Sequence, residues 1–557
     1  MQAVNHHSEL HAMVPPHRSG PARQEIVMHL SALLDNAVQS AGDREAVVYR
    51  DRRWTYPEFA DAARRAATVL RRAGLGPGDR LAVMTYNTPA FLFAAFGAWY
   101  AGATLVPVNH KLQTAEVAHQ LRHCGAKVGI VDAEIGERAT AADTDGLRWL
   151  TSHPDDPGVP GSFEDLIARA EPWTGEPGAA ADTADADDTD AADAAGDTDA
   201  ADDGDIAQIL YTSGTSGRPK GCVHTHRGIA LTATYTATAV PLRRDDRFLI
   251  CMPIWHASPL NNWALGTLFL GGTVVLQREY EPRGMLELVQ RERITALFGA
   301  PIALIAPVQS VPDFADFDLT SVRAWIYGAG PLDADTARRL MKAYGSDDFH
   351  QVYGMSETGP VGATLSPAEQ VEKAGSIGRG GMPGVALRVV RPDGADAGAG
   401  ETGEIWLRSD TRMVGYLDDP AATAEVFAGD WYRSGDLGRI DADGFVTLVD
   451  RMKDVIVTGG ENVASQEVEG ALRGHPDILD VAVVGRPHPQ WGETVVAVVV
   501  PRPDAGLDLD GVREWLEPRI ARYKIPRELV LRDELPRTPS GKVTKHVLRA
   551  ALAEAPA

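Results

Sequence analysis

The chain has 557 residues, 44% of them hydrophobic and 24% charged, and a formal net charge of −23. At about 100–200 residues per domain this length allows two to four units, and a chain of this size buries enough surface for a large core. The acidic balance excludes nucleic acid as the main partner, because a phosphate backbone needs a basic face.

Residues 1–27 lack the apolar core of a secretory signal and are expected to form a flexible extension. From residue 28 onward, helical and β-prone segments alternate. WTYPEFADAARRAATVLRRAG (54–74) has helical spacing and stops at a glycine, and RLAVMTY (80–86) then reads as a strand. The stretch from Phe91 to Val108 is apolar enough to suggest a membrane span. Gly102 punctuates it, however, and Thr104–Val108 is β-prone, so it reads as a buried helix, a turn and a core strand, with no stable membrane insertion. A further helix leads to a strand at Lys127–Val131. This alternation predicts an α/β fold with a mostly parallel sheet.

An Ala/Asp/Gly/Thr tract over 175–205 has no periodicity and includes eleven aspartates between 182 and 205. It is too polar to offset its own ordering entropy and is expected to be a disordered insertion. The α/β pattern resumes after 205 and runs to about 450. A separate βαβ-like pattern of about 100 residues follows, which places a domain boundary at Arg451–Lys453. The expected units are therefore an N-terminal domain over 28–452 and a C-terminal domain over 453–557. Three widely spaced cysteines, Cys124, Cys222 and Cys251, suit neither a disulfide framework nor a zinc site and point to a reducing cytoplasm.

Four segments carry chemistry. YTSGTSGRPKG (211–221) follows the β-prone Ile206–Tyr211. Its glycines let backbone N–H groups approach phosphate oxygens, and its hydroxyls and Lys220 add donors and charge. It is not a Walker A loop, since Pro219 precedes the lysine and Gly221 follows it. QVYGMSETGP (351–360) sets Glu357 between two hydroxyl residues, a hard-oxygen environment for Mg²⁺ beside a nucleotide, with Tyr353 placed to lie against a purine. WYRSGDLGRI (431–440) presents Asp436, a carboxylate able to accept two ribose hydroxyls. LPRTPSGKVTK (535–545) carries Lys542 in a polar loop. Each segment alone reads equally well as a turn or a solvated surface. Their joint occurrence in this order does not.

Together these segments closely resemble the adenylate-forming superfamily of acyl-CoA synthetases, carrier-protein-loading adenylation domains and firefly-type luciferases. The resemblance covers about residues 28–550, closest to the acyl-CoA synthetases. It implies a large multi-subdomain N-terminal domain and a small mobile α+β lid, with ATP, Mg²⁺ and coenzyme A required. By resemblance the phosphate loop comprises Thr212, Ser213, Gly214, Thr215, Ser216, Gly217 and Lys220. The adenine segment is Gly328, Ala329, Gly330 and Pro331, with Tyr353, Gly354 and Ser356 beside it. Asp436 and Arg451 match the ribose pair, Glu357 the metal ligand, Lys453 the hinge and Lys542 the catalytic lysine. Gly459, Gly460 and Glu461 match the loop that lines the thiol tunnel. The acyl pocket corresponds to 253–266 with parts of 298–301 and 352–355, and is expected to include Trp255, His256, Asn261, Trp263 and Met355.

His256 stands where amino-acid-activating relatives usually carry an aspartate, which argues against an α-amino acid. With Trp255 it resembles the aromatic gate of acyl- and aryl-CoA ligases, and it joins Lys542 and Glu357 among the residues expected to act on the reaction. Ser356 replaces a more common threonine, and Ala464, Ser465 and Gln466 occupy a stretch where many relatives have a proline. The resemblance leaves open a fatty or an aryl acid. It also leaves open the acceptor: CoA, a carrier protein acting in trans, or another nucleophile as in diazotase-like oxyacid activation. A non-catalytic nucleotide-binding relative and a homodimer are further readings it permits.

Overall fold

The computed structural model describes residues 28–142, 146–175, 204–212, 219–330, 332–459, 461–503, 505–537 and 542–554. The expected extension over 1–27 lies outside the described residues, as does the acidic tract apart from Gly175, Gly204 and Asp205.

Two large sheets are built mainly from parallel strands. In the first, the spatial order is Gly415–Tyr416, Lys220–Thr225, Ile206–Thr212, Thr104–Pro107, Arg80–Met84, Val128–Asp132 and Arg148–Ser152. Its first two pairings are antiparallel and the rest parallel. The second sheet has eight strands, from Ala363–Leu365 through Phe349–Tyr353, Ala324–Gly328 and Ala296–Gly299 to Arg52–Thr55 at the far edge. The expected parallel sheet therefore exists twice. A third sheet is antiparallel: Phe445–Arg451 pairs with Trp431–Ile440, which pairs with Thr402–Arg408. Sequence periodicity cannot separate these cases, because strands covered on both faces and strands beside a neighbouring sheet are similarly apolar.

The last sheet contains only residues beyond 455. Ile478–His488 and Gly492–Pro501 form a long hairpin, and Glu528–Leu531 lies parallel to the latter. Between the third sheet and this one stands a single turn of 3₁₀ helix, Met452–Asp454.

The helix expected from Trp54 begins two residues later, at Tyr56, and Arg52–Thr55 is an edge strand instead. Thr55 ends the strand and caps the helix. Its hydroxyl accepts the Glu58 N–H, and the Glu58 carboxylate accepts the Thr55 N–H at 2.8 Å, a reciprocal cap that fixes the start. The apolar stretch beginning at Phe91 forms the helix Pro89–Tyr100, a turn at Gly102 (φ 73°) and the strand Thr104–Pro107. All twelve helix residues are buried. A Cβ on Gly97 would lie 2.9 Å from that of Ala66, so this glycine allows the two helices to approach closely. Burial on every side explains its membrane-like composition. Among the described residues, no helix is long and apolar enough to cross a membrane.

Candidate active site

Each sheet delivers one part of the site. In the first, Thr212 is paired directly opposite Lys220, which brings together the two ends of the glycine-rich motif. Its inner residues Ser213, Gly214, Thr215, Ser216 and Gly217 lie outside the described residues, as do Pro331 and Gly460. Lys220 Nζ sits 4.8 Å over the ring of Tyr416, within cation–π range. The Tyr416 hydroxyl in turn donates to Glu357 Oε1 at 3.1 Å. Burial, then the charge of Glu357, raises the Tyr416 pKa, so the phenol stays a donor. Tyr416 thus joins two sequence-predicted residues. It carries no motif of its own, and its short strand Gly415–Tyr416 is recognisable only once paired to Cys222 and Val223.

The second sheet supplies the strand end Ala324–Gly328 and the strand Phe349–Tyr353, neighbours in parallel register. A Cβ on Gly328 would fall 2.5 Å from the Val352 carbonyl oxygen, and one on Gly354 would fall 2.6 Å from that of Pro360. Ala329 follows with φ 63°, left-handed backbone that is costly for an L-residue with a Cβ. Strain of this kind persists where surrounding structure holds it and clusters at functional sites. Glu357 lies in the 3₁₀ turn Ser356–Thr358, whose position is fixed in part by the Met413 N–H donating to the Glu357 carbonyl at 2.8 Å.

The third sheet supplies Asp436 and Arg451, which are direct cross-strand partners. Arg451 Nε lies 2.9 Å from Asp436 Oδ1, and the Tyr353 hydroxyl donates to Asp436 Oδ2 at 2.8 Å. Burial, followed by the charge of Asp436, raises the Tyr353 pKa well above that of a free phenol, so its proton stays in place. Each carboxylate oxygen therefore holds one partner and retains capacity for one more.

Lys542 arrives from the C-terminal segment. Lys542 is exposed, and partial loss of water, followed by the charge of Arg451, lowers its pKa against the opposing pull of Asp436 and Glu357. The same ammonium also acts on His256, whose pKa is lowered to about 3, chiefly by burial and then by Lys542 and His110. Lys542, Glu357, Asp436, Arg451 and His256 thus lie close enough to feel one another's charge, brought together from the second and third sheets and the C-terminal segment.

His256 lies against Trp255 with ring centroids 3.7 Å apart and the planes tilted by 37°, and Trp255 Nε1 donates to His110 Nδ1 at 3.1 Å. His110 is a neighbour that the sequence did not suggest. Asn261 and Trp263 lie on the π-helical turn Ser258–Ala264 and are both fully buried. Asn261 donates to Gln208 Oε1 at 2.8 Å, while Trp263 stacks between Phe248 and Phe298. Met355 is partly buried against Tyr353 and Tyr432. Lys453 lies in the 3₁₀ turn between the third and last sheets. Gly459 (φ 61°) and Glu461 belong to the exposed turn joining Ile456–Thr458 to Glu461–Val463.

A lone carboxylate suits Mg²⁺, an ion that keeps waters and substrate phosphates in its coordination shell and needs one or two protein carboxylates. Glu357 fits that donor set: one oxygen is engaged by Tyr416, and no cluster of three or more His, Cys, Asp or Glu ligands occurs among the described residues.

Residues 34–417 match the family model of the AMP-binding enzymes, and residues 467–542 match that of the AMP-binding enzyme C-terminal domain. The chain is 36% identical to a feruloyl-CoA synthase of Amycolatopsis over 497 residues, covering 89% of this chain and 93% of the relative. Its fold matches ATP-bound MatB from Rhodopseudomonas palustris with a TM-score of 0.82 and 29% identity, covering 95% of this chain and 99% of the other. It also matches the anthranilate CoA ligase AuaEII in complex with anthranoyl-AMP, with a TM-score of 0.83 and 25% identity, covering 94% and 97% of the two chains. The chain therefore belongs to the AMP-binding enzymes, as an ATP-dependent acyl-CoA synthetase that activates a carboxylic acid and joins it to coenzyme A.

Proposed function

We propose that the acid is an aryl or arylalkyl carboxylic acid, and that one cleft serves both half-reactions. The Asp436–Arg451 ion pair with Tyr353 donating to Asp436, set beside the Lys220–Tyr416–Glu357 chain, carries this reading of the site. An aryl acid is supported by the aromatic surroundings of the expected acyl pocket, where Trp255 and His256 stand together and Trp263 and Phe298 back the π-helical turn. Feruloyl-CoA synthase and an anthranilate CoA ligase among the similar proteins support the same class.

In the first half-reaction the substrate carboxylate attacks the α-phosphorus of ATP and expels pyrophosphate. The obstacle is an anion approaching a polyanion, so positioning and charge neutralisation must supply the rate. Lys542 neutralises charge developing at the α-phosphate. Asp436 uses its remaining acceptor capacity on the ribose hydroxyls, while Arg451 and Tyr353 hold it in place. The segment Gly328–Gly330 lines the adenine, and Thr212 and Lys220 present the phosphate loop. Glu357 would hold Mg²⁺, which when bound supplies further neutralisation of the phosphate oxygens. In the second half-reaction the CoA thiolate attacks the acyl carbon and AMP leaves. For that step the domain beyond Lys453 turns as a lid, withdrawing Lys542 and presenting Gly459–Glu461 to the thiol. His256 stays neutral at working pH and acts as a ring at the mouth of the thiol path rather than as a charge.

Three free cysteines at wide spacing, unsuited to disulfide pairing, support a reducing compartment, the cytoplasm. The test is pyrophosphate release with ATP and Mg²⁺ across aryl, arylalkyl, fatty and amino acids, each with and without CoA. Release with aryl acids, raised by CoA and yielding aryl-CoA, is the expected result. A preference for long alkyl chains would overturn the substrate class. Release indifferent to CoA would move the acceptor to a carrier protein.

A further inference from the structure

The helix Ser465–Arg473 has no side-chain cap of its own, because Ala464 at its N-cap position offers no acceptor. Its acceptor comes from across the hinge. Asp450, on the strand Phe445–Arg451 of the third sheet, receives the Ser465 backbone N–H at 2.5 Å and the Ser465 hydroxyl at 2.7 Å, both on Oδ2. A carboxylate there answers both the unpaired N–H groups and the positive end of the helix dipole. Lys545 Nζ donates to Ser465 Oγ at 2.5 Å and pairs with Glu469 Oε1 at 2.7 Å. Asp450, Ser465 and Glu469 are 2%, 0% and 5% exposed, so the network is shielded from screening by water. Lys545 opens the terminal helix Lys545–Glu554, three residues after Lys542. Further along that helix, Arg549 pairs with Asp454 at 2.7 Å.

We propose that Asp450, Ser465 and Lys545 form a latch across the hinge that holds Lys542 in the cleft for adenylation and must open before thioester formation. Asp450 precedes Lys453, whereas Ser465 and Lys545 follow it, so a turn about Lys453 pulls the two sides apart. The inference rests on the reading that the lid turns there. These are positioning residues, which act on the reaction through the placement of Lys542. A proline at 465 has neither N–H nor hydroxyl, so only a chain with a residue such as serine there can make both bonds to Asp450.

That difference supplies the experiment. Proline is well tolerated at the first position of a helix, and Ala464 already has an extended backbone (φ −70°, ψ 116°) compatible with a following proline. The two half-reactions are measured separately, as pyrophosphate release in single turnover and as acyl-CoA formation from supplied acyl-adenylate. Ser465→Pro should lower the ratio of adenylation to thioester rate about tenfold, the scale of losing charge-assisted hydrogen bonds. Lys545→Met should follow it, and Ser465→Ala, which keeps the N–H bond, should lower the ratio about threefold. Equal change in both half-reactions, or no change in the ratio across the three variants, overturns the latch. If Lys453→Pro blocks thioester formation while the Ser465→Pro ratio is unchanged, the latch alone fails. If Lys453→Pro leaves thioester formation intact, the lid reading itself fails.

Discussion

Lys542 is the lysine whose charge is felt by Arg451, Asp436, Glu357 and His256 together. We expect Lys542→Ala to slow acyl-adenylate formation by roughly 10²–10³-fold, the range for losing one oriented donor at a developing charge. Thioester formation from supplied acyl-adenylate should keep its rate, and equal losses in both assays would contradict the role. The pH profile offers a second check. Desolvation and Arg451 hold the Lys542 pKa below 10.5, so adenylation is lost as pH rises through a value lower than that of a free lysine. Lys542→Arg, charged beyond pH 12, should remove that alkaline limb from whatever activity remains. An unchanged limb would assign it to another group. At this scale the sequence singled out Glu357, Asp436 and Lys542, through the joint occurrence of their motifs rather than through any one of them. Tyr416, His110 and Asp450 were not, because their neighbours are distant in sequence and their side chains follow no spacing rule.

Among the elements, the turn after Ala324–Gly328 shows how a strand end is adapted to its task. Gly328 yields room to the Val352 carbonyl, whereas Ala329 adopts φ 63° despite its Cβ. Replacing Ala329 with glycine should relieve strain and raise stability by roughly 0.5–1 kcal/mol, net of the glycine's greater unfolded-state entropy. The same freedom should loosen the nucleotide segment and raise KM for ATP. Denaturant midpoints and ATP titrations test the two effects, and a stability loss would show that the alanine is not strained. The element boundaries were less legible than the elements themselves. The Trp54 start for the first long helix failed because an edge strand runs up to the capping Thr55. Only pairing with Glu45–Tyr49 reveals that strand.

On the scale of the molecule, the proposed lid motion requires the segment beyond Lys453 to exchange partners within one catalytic cycle. Lys453→Pro fixes the backbone at the turn between sheets, so we expect normal pyrophosphate release but a thioester rate at least tenfold lower. Full turnover to acyl-CoA in that variant would place the hinge elsewhere. Acid sensitivity is a second whole-molecule property. Burial holds His29, His110, His224 and His350 at about 4, His256 at about 3 and His226 well below 6.5. These folded-state values lie below the unfolded one. The unfolded chain therefore takes protons first, and stability present above about pH 6.5 is lost as pH falls toward 4. His350→Gln should reduce proton uptake on unfolding at pH 5 by about one, read from the pH dependence of urea midpoints. An unchanged slope would mean that His350 is not held neutral.

The sequence by itself determined the chemistry. Glycines, hydroxyls, carboxylates and lysines in four motifs, taken together and in order, carry the resemblance that implies nucleotide handling, because each motif is local and their order is written in the chain. The alternating pattern likewise determined the α/β class, since hydrophobic period is local. Tertiary structure alone decided what surrounds each group: that Tyr416 bridges Lys220 and Glu357, that Tyr353 donates to Asp436 rather than offering a free hydroxyl, and that Asp450 caps the helix Ser465–Arg473. Such pairings join residues up to 196 positions apart, and their strength depends on burial, which no window of sequence contains.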